Sequence, residues 1–105
     1  MTISTHVLDT TRGRPAVGVT VRLEALDGTL LDEAQTDADG RVADFAGAAA
    51  ESAAYRLRFD TGGYFAAEEA FYPEVVLTFR IADPQQHYHV PLLLSPFAYS
   101  TYRGS

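Results

Sequence analysis

Neither cysteine nor lysine occurs anywhere in the 105 residues. The first absence excludes disulfides, thiolate nucleophiles and cysteine-type zinc sites, and it leaves the redox compartment open, because a disulfide-free chain is at home in any. The second excludes Schiff-base chemistry. All eight basic residues are arginines, so positive charge at a site must be a guanidinium or a histidinium. Net positive charge is lacking too: at −6 overall, with its arginines scattered, the chain offers no surface for a nucleic-acid backbone. No apolar stretch is long enough to span a bilayer, and residues 1–6 carry neither the charged start nor the apolar run of a signal peptide. A cytoplasmic protein without membrane contact is therefore expected.

What is present suffices for a core. Hydrophobic residues make up 47% of the chain and charged residues 21%, too apolar a balance for disorder. Without an internal repeat, residues 1–105 read as one domain, of a size at which association with further subunits helps materially.

The dominant pattern is period two, which sends successive side chains to opposite faces of a strand. Ile3, Thr5 and Val7 oppose Ser4, His6 and Leu8 until Arg12-Gly13-Arg14-Pro15 breaks the run. Val17, Val19, Val21, Leu23 and Ala25 oppose Gly18, Thr20, Arg22 and Glu24, and Asp27-Gly28 turns this strand into Leu30-Leu31. Asp37-Ala38-Asp39-Gly40 is a second turn, releasing Arg41. As a calcium loop it is weak, having Gln35 at the first position of that motif and Ala46 where it places a glutamate. After a small-residue loop at 46–51, Tyr55, Leu57 and Phe59 alternate with Arg56 and Arg58; Val75, Leu77, Phe79 and Ile81 alternate with Val76, Thr78 and Arg80. Good helix formers across residues 64–71, halted by Pro73, predict one short helix. Seven or eight strands with turn signals between them predict an all-β, two-sheet antiparallel sandwich of Greek-key type.

The strand that ends in Leu92-Leu93-Leu94 carries His87 and His89 on one face, against Tyr88, Val90, Leu92 and Leu94 on the other. With His6 and Arg41 these are the candidate chemical groups, joined by the hydroxyls of residues 99–105. Each histidine taken alone also reads as an ordinary strand residue, and for His87 that plainer reading, a polar residue at a strand start, is preferred.

Several stretches together resemble the transthyretin-like family. They are Ile3-Ser4-Thr5-His6-Val7-Leu8-Asp9-Thr10 with Gly13-Arg14-Pro15-Ala16, the turn from Asp37 to Arg41, His87-Tyr88-His89-Val90-Pro91-Leu92-Leu93-Leu94-Ser95-Pro96, and the ending Tyr102-Arg103-Gly104-Ser105. The resemblance covers essentially the whole chain. The ending marks the hydrolase branch of that family rather than its hormone carriers, which have lysine, glutamate and threonine where this chain has His6, Arg41 and His89.

The resemblance implies a transthyretin (prealbumin) sandwich assembled as a homotetramer, a dimer of dimers, whose facing sheets enclose a channel holding the sites. It implies 5-hydroxyisourate as the small-molecule substrate, opened by water to 2-oxo-4-hydroxy-4-carboxy-5-ureidoimidazoline in urate breakdown, without cofactor or metal. His6, Arg41 and His89 are the implied catalytic residues, and Tyr102, Arg103, Gly104 and Ser105 the implied substrate-binding residues. Such a reaction needs a base on water, a stabilised oxyanion and a proton for the leaving nitrogen. His89 is assigned the base and His6 its partner, with the roles exchangeable; Arg41 suits the oxyanion. Ser105 acts through its hydroxyl or its terminal carboxylate, not as a nucleophile. A zinc site on His6, His87 and His89 is weighed and set below this reading. The rival from another class is a non-catalytic small-molecule carrier on the same fold.

Overall fold

The computed structural model describes residues 2–45, 53–66 and 70–105. Among them nine strands form two sheets. In the first, β1 (Thr2–Asp9) has β8 (His87–Leu94) on one side and two short strands, β2 (Arg14–Pro15) and β5 (Arg41–Val42), on the other; β9 (Tyr99–Thr101) lies beyond β8. The second runs β4 (Leu30–Gln35), β3 (Thr20–Ala25), β6 (Ala53–Phe59), β7 (Val75–Ile81). The described residues make an all-β, two-sheet sandwich with one short helix.

The alternation accounts for the packing. Ile3 and Val7 of β1, Val21 and Leu23 of β3, and Leu57 and Phe59 of β6 are all fully buried between the sheets. Each such side chain contributes about 1.5–3 kcal/mol by leaving water. Leu77 and Phe79 of β7 face the same way but stay partly exposed against this core.

One pairing departs from the antiparallel pattern. β1 and β8 run parallel through eight residue pairs, from Thr2 opposite His87 to Asp9 opposite Leu94. Periodicity within a strand is blind to the direction of its neighbour, so this could not be read from either segment. The parallel ladder brings Ser4 opposite His89 and His6 opposite Pro91.

The other edge of β1 depends on Gly40. Its φ of 75° and its close approach to Val7 both require glycine: a Cβ there would collide with the Val7 carbonyl oxygen. Gly40 accepts from the Val7 amide at 2.7 Å, and Asp37 Oδ1 accepts from the amides of Asp39 and Arg41. The turn therefore delivers Arg41 into β5 directly opposite His6.

Two expected boundaries moved. Val17 is 54% exposed in a turn, and the strand begins at Thr20, because Thr36 accepts from the Val19 amide and donates to the Ala16 carbonyl, holding the chain ahead of it. The helix, α1 (Thr61–Tyr64), lies earlier than the expected 64–71. Asp60 caps it by accepting from the Gly63 amide, and that cap outweighs the poor propensity of Gly62 and Gly63. Residues 67–69 of the expected helix and the expected loop at 46–51 lie outside the described residues.

Candidate active site

Register places the site. On the face of the first sheet turned away from the core, β1 presents Thr2, Ser4, His6 and Leu8, and β8 presents His87, His89 and Leu93. Arg41 joins them from β5 as the cross-strand partner of His6, close enough for side chains to interact. The structure thus brings His6, Arg41 and His89 onto one face of one sheet.

Their surroundings differ. His6 is half-buried, and its ring has no hydrogen-bond partner among the described residues. Arg12, Arg22 and Arg58 are engaged by Asp9, Glu33 and Glu24. The Arg41 guanidinium, by contrast, is exposed and makes no hydrogen bond or ion pair among the described residues, leaving its donors open to a ligand. His89 is half-buried, and its Nδ1 lies 2.7 Å from Ser4 Oγ, so Nε2 is the nitrogen left for substrate or water. Burial holds the His89 pKa below the ordinary imidazole value, helped by the positive charges that Arg41, His87 and His6 bring near it. At neutral pH His89 is accordingly neutral, as a base must be.

The tail docks on His89. After Thr101 the ladder with β8 lapses where Pro91 lacks an amide proton; Thr101 Oγ1 donates to the Pro91 carbonyl instead, at 2.7 Å. Pairing then resumes in the same register, Gly104 opposite His89, with the Gly104 amide donating to the His89 carbonyl at 2.9 Å. Only glycine fits, because a Cβ at 104 would strike the His89 ring. Arg103 points the other way: its guanidinium lies 4.9 Å over the ring of buried Tyr88, and Nη2 donates to Gln86 Oε1. Tyr102 and Ser105 are exposed. A cleft of about 410 Å³ opens between β7 and the tail, with His89, Thr101, Tyr102 and Arg103 on its wall.

Two participants were missed in the sequence. Ser4 Oγ touches both His89 Nδ1 and, at 2.9 Å, His87 Nε2, while Thr2 Oγ1 is bonded to His87 Nδ1. His87 is therefore tied to His89 rather than standing as an isolated polar residue at a strand start. The shared face of the two histidines was the available signal; the serine between them needed the β1–β8 register. Among the described residues no three of His, Cys, Asp and Glu converge as metal ligands do.

A two-sheet sandwich bearing three imidazoles, a guanidinium without a partner among the described residues and a docked tail on one outward face defines the class: a transthyretin-type fold equipped with acid–base groups. Residues 3–104 match the family described as HIUase/Transthyretin. The chain belongs to that family. It is 45% identical to the 5-hydroxyisourate hydrolase of Caulobacter vibrioides over 98% of this chain and 97% of that one. It is 46% identical to 5-hydroxyisourate hydrolase 2 of Rhizobium meliloti, over 98% and 95% respectively. Among solved structures, the Klebsiella pneumoniae 5-hydroxyisourate hydrolase superposes with a TM-score of 0.91 at 41% identity, covering 100% of both chains. Transthyretin from Sparus aurata superposes at 0.85 with 28% identity, covering 97% of this chain and 95% of that one.

Proposed function

We propose that this chain is a single-domain enzyme that hydrolyses 5-hydroxyisourate to 2-oxo-4-hydroxy-4-carboxy-5-ureidoimidazoline. The observation that carries the reading is the convergence of His6, Arg41 and His89 on one sheet face, with His89 Nε2 and the Arg41 guanidinium both uncommitted. His89 Nε2 takes a proton from water as the water oxygen bonds to the ring carbonyl carbon. The carbonyl oxygen becomes an oxyanion against Arg41. The C–N bond breaks, and the leaving nitrogen receives its proton from the imidazolium, with His6 as proton partner. The product is a carboxylate and a free N–H, so atoms and charge balance once the new acid ionises.

Tyr102, Gly104 and Ser105 complete the pocket beside His89, while Arg103, seated on Tyr88, anchors them. The sheet face bearing these groups also carries half-buried Leu8 and Leu93, and we place it against a second subunit in a homotetramer whose channel holds the sites. The cytoplasm is the proposed compartment; no helix among the described residues is long and apolar enough to cross a membrane.

The test is the absorbance decay of freshly generated 5-hydroxyisourate with and without purified protein, together with the solution mass. Acceleration over the spontaneous rate, abolished in His89→Ala, is the expected result. Ligand binding without acceleration identifies a carrier instead. Deleting residues 102–105 costs catalysis far more than thermal stability, since the core lies elsewhere.

A further inference from the structure

Thr2, His87, Ser4 and His89 form one continuous hydrogen-bonded chain across the parallel β1–β8 ladder. Thr2 Oγ1 meets His87 Nδ1, His87 Nε2 meets Ser4 Oγ at 2.9 Å, and Ser4 Oγ meets His89 Nδ1 at 2.7 Å. The two rings are nearly parallel, 17° apart with centroids separated by 6.5 Å. His87 is exposed, whereas Ser4 is 6% exposed.

Proton counting restricts what this chain can do. A serine hydroxyl has one proton, and a neutral imidazole donates from one nitrogen and accepts at the other. If both rings donated to Ser4, its own proton would be left buried with no acceptor among the described residues, which is costly. Two neutral arrangements remain. In one, His89 Nδ1–H donates to Ser4, Ser4 donates to His87 Nε2, and His87 Nδ1–H donates to Thr2. In the other every bond is reversed, and His89 carries its proton on Nε2. Only the first leaves a lone pair on Nε2, the nitrogen not bonded to Ser4. The tautomer of His89 is thus coupled to that of a residue two positions away through a hydroxyl from another strand.

We propose that Ser4 and His87 are positioning residues that hold His89 in its Nδ1–H tautomer, keeping Nε2 free to take the proton from water and return it to the leaving nitrogen. This rests on the reading of His89 as the base. When Nε2 takes its proton, the Nδ1–H···Ser4 bond becomes charge-assisted and strengthens, so the chain also favours the imidazolium as it forms. Burial and the Arg41 guanidinium oppose that charge and make the support from Ser4 the more consequential.

The experiment is ¹⁵N NMR of the histidine rings in the full-length protein as it assembles, paired with kcat and KM, for wild type, Ser4→Ala, Ser4→Thr, His87→Gln and His87→Asn. Wild-type His89 is expected as the Nδ1–H form. Ser4→Ala moves it toward Nε2–H and lowers kcat on the order of 10- to 100-fold with KM little changed, as loss of a group that orients a catalytic histidine does. Ser4→Thr keeps the hydroxyl and restores both readouts. His87→Gln puts an amide oxygen where Nε2 was and retains the bond to Ser4. His87→Asn reaches only the Nδ1 position and behaves like Ser4→Ala. A wild-type His89 protonated on Nε2, or a Ser4→Ala protein with unchanged tautomer and kcat, overturns the proposal. Should His89→Gln retain full turnover, the base assignment itself falls, an outcome separate from the tautomer result because the spectra do not depend on activity.

Discussion

Replacing Gly104 by alanine probes the site with a single methyl group. The backbone at 104 is outside the left-handed region, so alanine brings no conformational strain; its one objection is the His89 ring lying where the Cβ must go. Two responses are open. If the tail lifts, the Gly104 amide loses the His89 carbonyl, a loss of about 1 kcal/mol. Felt in full, that lowers Tm by about 4–8 °C for a domain of this size. If the ring yields, the Ser4–Nδ1 bond breaks and a positioned base is lost, which costs turnover on the order of 10²-fold or more. Either way catalysis falls much further than stability, because the tail contributes no side chain to the buried core. The assay is the initial rate of 5-hydroxyisourate decay beside a thermal melt of the same sample. A Gly104→Ala protein with wild-type turnover and an unmoved His89 spectrum refutes the argument that the tail is fitted to this ring.

Arg41→Lys keeps a charge but loses the planar fork, and turnover is expected to fall at least tenfold, on the order of magnitude of one lost oxyanion donor, with the melt unchanged. Because burial and then the charges of Arg41, His87 and His6 depress the His89 pKa, the acid limb of kcat/KM lies below the ordinary imidazole value of about 6.5. Arg41→Gln removes one of those charges and shifts the His89 titration upward, toward that value. Asp9 is fully buried and accepts from Tyr64 and Arg12 at 2.7 Å each; burial pushes its carboxyl up, but these bonds and the Arg12 charge together hold it below its ordinary value. Its contribution is therefore complete above about pH 4 and is lost as pH falls through the lowered value. Asp9→Ala costs on the order of 3 kcal/mol at neutral pH and flattens the acid side of a Tm-against-pH curve. Turnover survives exhaustive chelation; loss on chelation with recovery on adding zinc would move water activation from imidazole to a metal.

The sandwich was legible because its strands obey period two: Val19, Val21, Leu23, Leu57 and Phe59 were all assigned to the core by alternation, and all are fully buried. The shared face of His87 and His89 followed from the same parity, as did that of Ser4 and His6. What alternation cannot carry is which strand lies beside which, and in what direction. Ser4 and His89 are 85 residues apart, and only the parallel register joins them. Propensity alone points to residues 64–71, whereas the Asp60 cap organises a helical turn through two glycines at Thr61–Tyr64. Arg103 shows a further limit. It shares the wall of the cleft with His89, but its stacking on Tyr88 while Gly104 meets His89 needed the fold to be seen.

The parallel ladder of β1 with β8 also sets a clock on synthesis. The strand carrying Ser4 and His6 leaves the ribosome before β8 and must wait for a partner 85 residues behind it. At cellular elongation rates the delay is roughly 4–17 s. During it, β1 has only the two-residue strands β2 and β5 to pair with, and its apolar face lacks Leu92 and Leu94 from β8. A chain halted before His87 holds the whole second sheet and the His6–Arg41 pairing, but neither the β1–β8 ladder nor the ring of His89.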